Sequence, residues 1–586
     1  MLLGLLAPVA LATPKRLHSV GKHTAQEVVD KLGLIPNPEK GYFIESFRDP
    51  DTTAGNRSVS TAIYYLLESS VGPSIWHRVD AAEVWHYYAG APLTISLSYD
   101  DGNPVEDVVL GPDVFDDQRP QYAIAKNRWQ RATSLGRWTL VGTTERFVAE
   151  QLPGRGPATY VDEAVGSFNL VLRFSFAEGG DDVALRMLKP GHTPSSLVAV
   201  KTADEVAWMR YLKAKTTIPI PRIHCCSSDP TGELSPLGLS YILMDFFQGT
   251  SVREFLQKLP KLGVDADADA KRSTIFEQAA EIYLQLYRLR FDAIGSIAED
   301  PGSPGGWRVT ERPLTSDMLQ FALGIPDCPT DHWPEAPLRR SDDYFDVAAA
   351  QHRVQLWYLR NLNLPHDDEI KRDPAEAAKL ARFRFKAQVG FEQLIPVFHQ
   401  EGDRNGPFGP FNPDLDPRNM VLDPDTLTIT GVFDFEFTNA MPAQFARDPP
   451  PWLVGVLPAT TLDKGFFPWF LLNYKRHLDV FLDAMRRAEA RMGAGGEEET
   501  PLSEMMLESF TSHRCWFNYA ANNSGYADAL YWSVLYKLHP EGSGGPPKLT
   551  PQLEEEMERY VEHTRKQLAA FEEAWVVTKR SMSNAP

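Results

Sequence analysis

Between positions 408 and 437 the sequence gathers the residue types that phosphoryl transfer needs. Asp414 is followed five residues on by Asn419, in Asp-Leu-Asp-Pro-Arg-Asn, and Asp434 comes fifteen residues later, in Asp434-Phe435-Glu436 at the end of an apolar run. Such a reaction uses one carboxylate to accept the proton of the attacking hydroxyl. An amide and a second carboxylate hold the magnesium ions that bridge the nucleotide phosphates. An Asp-x4-Asn pair alone is common. Joined to a strand that ends in Asp-aromatic-Glu at this distance, it becomes specific. Each residue also has an ordinary reading, Asp414 as a loop Asx-turn and Asp434 as a turn cap. It is their occurrence in this order that outweighs those readings.

A second set lies upstream. Gly166-Ser167-Phe168-Asn169 separates two extended runs and is placed to turn over nucleotide phosphates; Ser167 and Asn169 are its polar members. Arg186 lies in the next strand-like run and Glu205 in the helix expected at 203–215. A cationic strand residue facing a helical Glu is a further feature of phosphoryl-transfer sites, although it is also an ordinary ion pair. The apolar run 241–247 reads as a strand leading to a hinge, with adenine expected near Met244–Phe246.

The elements that must carry these residues fall into two blocks. From 59 to 144 the chain has six short runs rich in β-branched and aromatic residues (59–67, 83–90, 92–99, 105–111, 121–125 and 137–144), separated by turns such as Asp-Gly-Asn-Pro. That pattern predicts an antiparallel sandwich or barrel. A helix precedes it, announced by the capping box Thr24-Ala-Gln-Glu27. After a Pro/Gly-rich linker come two strands, a helix and another strand. From about 252 the chain reads as mainly helical, apart from one strand-turn-strand block at 419–435. The expected divisions are a leader at 1–22, an all-β unit at 23–151, a linker at 152–159, a mixed lobe at 160–250 and a helical lobe at 251–586.

Composition narrows the function further. The chain has 586 residues, 59 basic against 78 acidic, a formal charge of −19 and 43% apolar residues. It is therefore globular, and its charge argues against general binding to nucleic acid or to anionic membranes. Four cysteines, Cys225, Cys226, Cys328 and Cys515, are too few for a disulfide framework and fit a reducing, cytoplasmic setting. The apolar start, MLLGLLAPVALA, lacks a basic flank before it and is too short to span a bilayer.

From residue 160 on, the sequence resembles the fungal branch of the aminoglycoside-phosphotransferase family. The resemblance rests on GSFNLVLRF, VALRMLKPG, EVAWMRYL with IPIPRI, YILMDFFQGTSV, NPDLDPRNMVLD and ITGVFDFEF. It implies a bilobal protein-kinase-like fold, ATP and Mg2+ as cofactors and a small-molecule alcohol as acceptor. By the same resemblance Asp414 is the base, Asn419 and Asp434 hold the metal, and Glu205 orients Arg186 toward the phosphates. Asn412 stands where the family usually has His, Arg186 where most kinases have Lys, and Phe435 where related sequences often have Trp. A nucleotide-binding protein without turnover, with the N-terminal unit as a ligand sensor, is the alternative reading.

Residues 25–145 resemble a second family, the small RmlC-like cupins. The carrying motifs are NPEKGYFIESFR, WHRVDAAEVWHYYAGAPL and QYAIAKNRWQRA. The resemblance implies a double-stranded β-helix and a homodimer. A cupin metal site takes His-x-His, Glu and a distant His, but Val79 occupies the second position and Trp129-Gln130 the last. The residues therefore point to a small-molecule pocket lined by Tyr42, Glu45, His77, Glu83 and Gln130, with His86 close by and a divalent metal as the alternative. Strand alternation places Glu83 and His86 on opposite faces unless a bulge intervenes. A His–Glu pair can move a proton next to a carbonyl, so an epimerase or isomerase confined to this unit is a third reading.

Overall fold

A computed structural model of the chain describes residues 23–48, 61–79, 83–100, 104–113, 115–124, 128–145, 148, 151–152, 155, 158–176, 180–189, 191–228, 240–302, 306–325, 328–359, 374–463, 465–493, 500–538 and 547–583. The apolar start thus lies outside the described residues. Packing divides the chain into two compact units. Among the described residues, one holds those up to 202 and 222–246, and the other holds 203–221 and those from 247 on.

The first unit opens with α1 (Ala25–Leu32). The Thr24 hydroxyl accepts from the Glu27 amide, and the Glu27 carboxylate accepts from the Thr24 amide at 2.7 Å, so the expected capping box forms. Gly33, at φ 66°, ends the helix in a left-handed turn. Nine strands follow: β1 (Ile35–Pro36), β2 (Tyr42–Arg48), β3 (Thr61–Glu68), β4 (Glu83–Gly90), β5 (Leu93–Ser98), β6 (Glu106–Leu110), β7 (Gln121–Ile124), β8 (Trp129–Ser134) and β9 (Trp138–Glu145). They form a six-stranded sheet, β1-β2-β3-β9-β4-β7, and a three-stranded sheet, β6-β5-β8. Between the sheets Tyr65, Leu67, Trp85 and Val141 meet Ile95, Leu97 and Ala132. Each such buried aliphatic or aromatic side chain is worth roughly 1.5–3 kcal/mol. The alternate residues Tyr64, Leu66 and Leu140 face the other way, onto Val28 and Val29 of α1.

Five more strands complete the unit: β10 (Ala158–Val165), β11 (Asn169–Phe176), β12 (Val183–Leu188), β13 (Ile223–Ser227) and β14 (Tyr241–Asp245). They pair antiparallel in the order β10-β11-β12-β14-β13. The expected boundary at 151 and the expected linker at 152–159 are corrected here. Val148 and Leu152 are buried among Leu172, Phe174, Phe176 and Val183 of this sheet, and β10 already begins at Ala158. Both residues are apolar, so the segment gains more by covering the sheet than by staying in water. The helix expected at 203–215 begins earlier, as α2 (Ser195–Lys215). Its Ser, Val and Thr residues carry weak helix propensity, which hid its first two turns. The division between units falls inside it: Trp208 and Tyr211 pack edge-on against Phe291 and Trp307 of the second unit's core.

The second unit contains β15 (Thr250–Ser251), α3 (Val252–Lys258), α4 (Ala266–Tyr287), a hairpin of β16 (Ser296–Glu299) and β17 (Trp307–Glu311), and further long helices, α5 (Ser341–Tyr358), α6 (Pro374–Phe398), α7 (Phe467–Met492) and α8 (Arg514–Asn522). The β16–β17 hairpin departs from the expectation that the chain after 252 is helical apart from the block at 419–435. Phe276, Phe391, Tyr474, Phe481, Trp516 and Phe517 anchor one helical core. Across it run β18 (Gly409–Phe411), β19 (Met420–Asp423), β20 (Thr428–Val432) and β21 (Asn439–Met441). β18 pairs with β21, and β19 with β20, so residues 412–419 and 433–438 are two loops closed between the same strand pairs. Gln278 of α4 clamps the β19–β20 turn, donating to Leu427 O at 2.7 Å and accepting from Ile429 N at 2.8 Å. Among the described residues no helix is long and apolar enough to cross a membrane.

Candidate active site and cupin interior

The two loops of the second unit are tied by Asn412. Its amide donates to Asp434 O at 3.0 Å, and its oxygen accepts from the Asp414 amide at 2.8 Å. The residue that departs from the family's His thus joins the two functional loops, and it is buried. Asp414 is held on both carboxylate oxygens. Arg418 Nη2 donates to Oδ1 at 2.9 Å, and Asn419 Nδ2 donates to Oδ2 at 3.1 Å and to the Asp414 backbone oxygen at 3.0 Å. Loss of water pushes the Asp414 carboxyl up to about 6, with Asp434 and Asp416 adding to the rise and Arg418 and Asn419 opposing it. Tyr283 of α4 fixes the loop from beneath, its hydroxyl donating to Leu415 O at 3.3 Å. Tyr519 of α8 also lies close. Its hydroxyl is raised first by burial, then by Tyr526, and further by the charges of Asp416 and Asp414.

Asp434 and Phe437 take φ of 67° and 59°, left-handed values that cost a non-glycine residue about 1–3 kcal/mol. The sharp backbone follows directly on β20, and Phe435 between them is buried, as the family's larger aromatic would be. Asn419 turns its amide nitrogen onto Asp414, so its amide oxygen is the atom that would face a cation. Asp434 supplies a carboxylate. Two hard oxygen ligands plus substrate phosphates are what Mg2+ accepts in such sites, so these residues fit the ion.

The residues expected to meet the nucleotide lie in the first unit, Glu205 apart. Gly166 and Asn169 close a tight hairpin between β10 and β11, the Gly166 amide donating to Asn169 O at 2.8 Å, with Ser167 exposed at the tip. Lys189 secures the turn twice, its amide donating to Phe168 O at 2.8 Å and its Nζ to Gly166 O at 3.2 Å. Arg186 sits on the third strand, opposite Val171 and Ile242, and is buried. Glu205 is buried on α2, in the part grouped with the second unit. Met244 is buried on β14. Phe246 follows it, its amide donating to Asp182 O at 2.9 Å and its ring covered by Arg173 at 4.5 Å. Between them Asp245 accepts from His224 Nε2 at 2.8 Å and the Arg222 amide at 3.0 Å, which stiffens the hinge. Sequence reasoning passed over Lys189, Asp416 and Arg418. The Asp-x-Asp-x-Arg-Asn spacing was the available signal for the last two.

The cupin interior brings together fewer of its expected residues. Gln130 on β8 donates to the Glu83 carboxylate on β4, both buried. His77 lies directly opposite Gln130, and Glu45 lies opposite Ile63 on the inward face of β3. The His77 Nδ1 is 3.0 Å from Ile75 O and 3.3 Å from Glu39. Two polar atoms on this face, Gln130 Oε1 and Trp85 Nε1, are buried without a hydrogen-bond partner among the described residues.

Tyr42 and His86 are not part of this group, which corrects the expected pocket. Tyr42 packs with Ile44 toward α1. The His86 ring meets Gln121 Nε2 at 2.7 Å and stacks on Tyr88, and burial pushes it down to about 4. The reason is the two-residue repeat of a strand: Tyr42 and Glu45, like Glu83 and His86, are three positions apart, and the bulges in β2 and β4 fall beyond them. The alternative of a divalent metal in the barrel loses His86 as a ligand beside Glu83. Glu83 is bonded to an amide, His86 is on the far face, and among the described residues no cluster of three His, Cys, Asp or Glu could hold an ion.

Comparison with known proteins agrees with both halves. Residues 153–445, half of the chain, match the phosphotransferase enzyme family, and residues 26–146 match the cupin superfamily of domain type DUF985. Two subtelomeric hrmA-associated cluster proteins from two strains of Aspergillus fumigatus are 33% identical over 134 residues, which is 23% of this chain and 23% of each relative. The match thus spans under a quarter of these relatives' length. Among solved structures, a protein from Shewanella oneidensis is 28% identical over 21% of this chain and 78% of its own, at a TM-score of 0.20. An ethanolamine kinase from Plasmodium vivax is 12% identical over 72% of this chain and 84% of its own, at 0.34. A ternary complex of an aminoglycoside phosphotransferase with AMP-PNP and hygromycin B is 12% identical over 66% of this chain and 98% of its own, at 0.32.

Proposed function

The chain belongs to the phosphotransferase enzyme family, and from that premise we propose that it transfers the γ-phosphoryl group of ATP to a hydroxyl of a small molecule. The observation that carries the reading is the double hold on Asp414, with Arg418 and Asn419 on its two oxygens and Asn412 linking its amide to Asp434. A base so fixed keeps one direction of approach for the acceptor. The acceptor hydroxyl gives its proton to the Asp414 carboxylate as its oxygen attacks the γ-phosphorus, and the bond to ADP breaks. Asn419 and Asp434 hold Mg2+, which when bound neutralises charge on the phosphates. Within the first unit the hairpin Gly166–Asn169, with Ser167 at its tip, and Arg186 meet the nucleotide's phosphates, and the backbone at Met244–Phe246 receives adenine; Glu205 keeps the orienting role that the resemblance gives it. Arg186 keeps its charge at any working pH and offers a fork of donors where a lysine offers a point charge.

The cupin then binds a small metabolite on the face that carries Glu83, Gln130, His77 and Glu45. The support is that two buried atoms there, Gln130 Oε1 and Trp85 Nε1, have no hydrogen-bond partner among the described residues, since buried polar groups in folded proteins are nearly always bonded. Release of ADP from Mg·ATP across a panel of small alcohols and amino-alcohols tests the main reading. Turnover by the wild type that disappears in Asp414→Asn supports it. Turnover equal in the two proteins sinks the assignment of the base. Tight Mg·ATP binding with no turnover on any acceptor or on water would favour a nucleotide sensor instead.

A further inference from the structure

Arg418 has been used so far only as one of the two holds on Asp414, yet its side chain ties two carboxylates of the loop together. Its Nε donates to Asp416 Oδ1 at 2.9 Å, its backbone amide donates to the same oxygen at 2.9 Å, and its Nη2 donates to Asp414 Oδ1 at 2.9 Å. Asp416 is 4% exposed and caps the short 3-10 turn Pro417–Asn419, with Pro417 at its first position. That anchor cannot drift: its own amide donates to Asp414 O at 2.7 Å, and its carbonyl accepts from the Asn419 amide at 2.9 Å. The guanidinium is therefore fixed at its near end and aims its far end at the base.

The two bonds on Asp414 differ in kind. Asn419 contributes a neutral amide, whereas Arg418 contributes a charge-assisted bond from a planar fork, a class roughly twice as strong. Without Arg418 the remaining side-chain hold on the carboxylate among the described residues is Asn419, and turning Asn419 to follow it would also turn the oxygen that would face the metal. We propose that Arg418, braced by Asp416, is a positioning residue for phosphoryl transfer, acting through the Asp414 carboxylate. The inference rests on the phosphotransferase reading. In this loop the acidic residue at 416 is the brace and the cation at 418 is the lever, so the pair works as one device.

The test uses the full chain, with Mg·ATP as substrate and water as acceptor, and follows ADP release. Arg418→Ala is expected to lower kcat by about 10- to 100-fold, the usual cost of a misplaced reacting group, with the KM for ATP within about threefold and the thermal midpoint unchanged. Added guanidinium ion should restore part of the lost rate, because it can refill the fork's place between the two carboxylates. Arg418→Lys should recover little, since a point charge on a flexible stem cannot span both. Asp416→Asn keeps an acceptor for Nε but removes the charge, and should fall between wild type and Arg418→Ala. A folded Arg418→Ala protein with wild-type kcat overturns the proposal. So does a loss of rate that comes with lost Mg·ATP binding and no guanidinium rescue, which would mark a purely structural ion pair. Wild-type protein that neither binds nor hydrolyses Mg·ATP, or whose hydrolysis is untouched by Asp414→Asn, overturns the phosphotransferase reading itself and this role with it.

Discussion

The catalytic loop and the cupin interior both bury carboxylates beside amides, but they leave opposite residues of polarity. In the loop every atom of the base is spoken for: Oδ1 by Arg418, Oδ2 by Asn419, the amide by Asn412. In the cupin Glu83 has Gln130, while Gln130 Oε1 and Trp85 Nε1 are buried with no hydrogen-bond partner among the described residues. The first is a loop whose hydrogen bonds its own chain supplies. The second is a site whose hydrogen bonds the chain does not complete. The difference teaches where rigidity has been built in: preorganisation sits where charge must develop, and unfilled polar capacity sits where a ligand can supply the missing partner.

Several substitutions would break or sharpen that contrast. The largest effect is expected for Asp414→Asn, which should cut kcat by about 10²–10⁴-fold, the usual worth of a positioned base, while calorimetry still finds Mg·ATP bound. Next comes Asn412→Ala. It frees the Asp414 amide and Asp434 O together, and should cost about 10- to 100-fold in kcat through displacement of both loops; Asn412→His, the residue the family usually has, should recover more than Asn412→Ala. In the cupin, Gln130→Met leaves the buried Glu83 carboxylate without its donor. That should cost about 1–3 kcal/mol of stability, the price of one unpaired buried group, read as a lowered denaturant midpoint. An unchanged midpoint would mean that Glu83 is already bonded elsewhere.

The smallest effect is a pH dependence at His86. Its imidazole is held down to about 4 by burial, against an ordinary value of 6.5. The folded state therefore refuses a proton that the unfolded chain accepts, so this group's contribution is present above pH 6.5 and is lost as pH falls from there toward 4. Denaturant midpoints at pH 7 and pH 5 should differ more for the wild type than for His86→Gln. Equal differences would place the imidazole in water.

How much of this was legible beforehand divides along the same line. The catalytic residues lie within one stretch, Asn412 to Asp434, whose spacing is set by local turns and one hairpin, so their order could be read directly. Asn412 was visible only as a departure; its bridging role needs the pairing of β18 with β21, which no spacing reveals. Arg418 lay in plain view inside the motif but has no role in the generic scheme of a base and two metal ligands. In the cupin the candidate pocket side chains come from strands far apart in sequence. Of these strands only β4 was among the six expected runs, β2 and β8 were not, and a list drawn from proximity in the motif mixed the two faces. The parity of each position separates Tyr42 from Glu45, and Glu83 from His86, and alternation read strictly along each strand would have kept them apart. The hairpin β16–β17 escaped because Pro and Gly in the turn between its strands resemble a break. The start of α2 escaped because Ser195–Thr202 is poor in helix formers, and only its packing makes it helical.

The central claim, that this chain is a phosphotransferase built on Asp414, Asn419 and Asp434, is tested most directly by calorimetric titration of Mg·ATP into the full-length protein beside Asp434→Ala. Binding in the wild type that needs Mg2+ and weakens at least tenfold in the variant, with the thermal midpoint of both proteins alike, is the predicted result. A folded wild type that binds no Mg·ATP, or a variant that binds it equally well, would contradict the account.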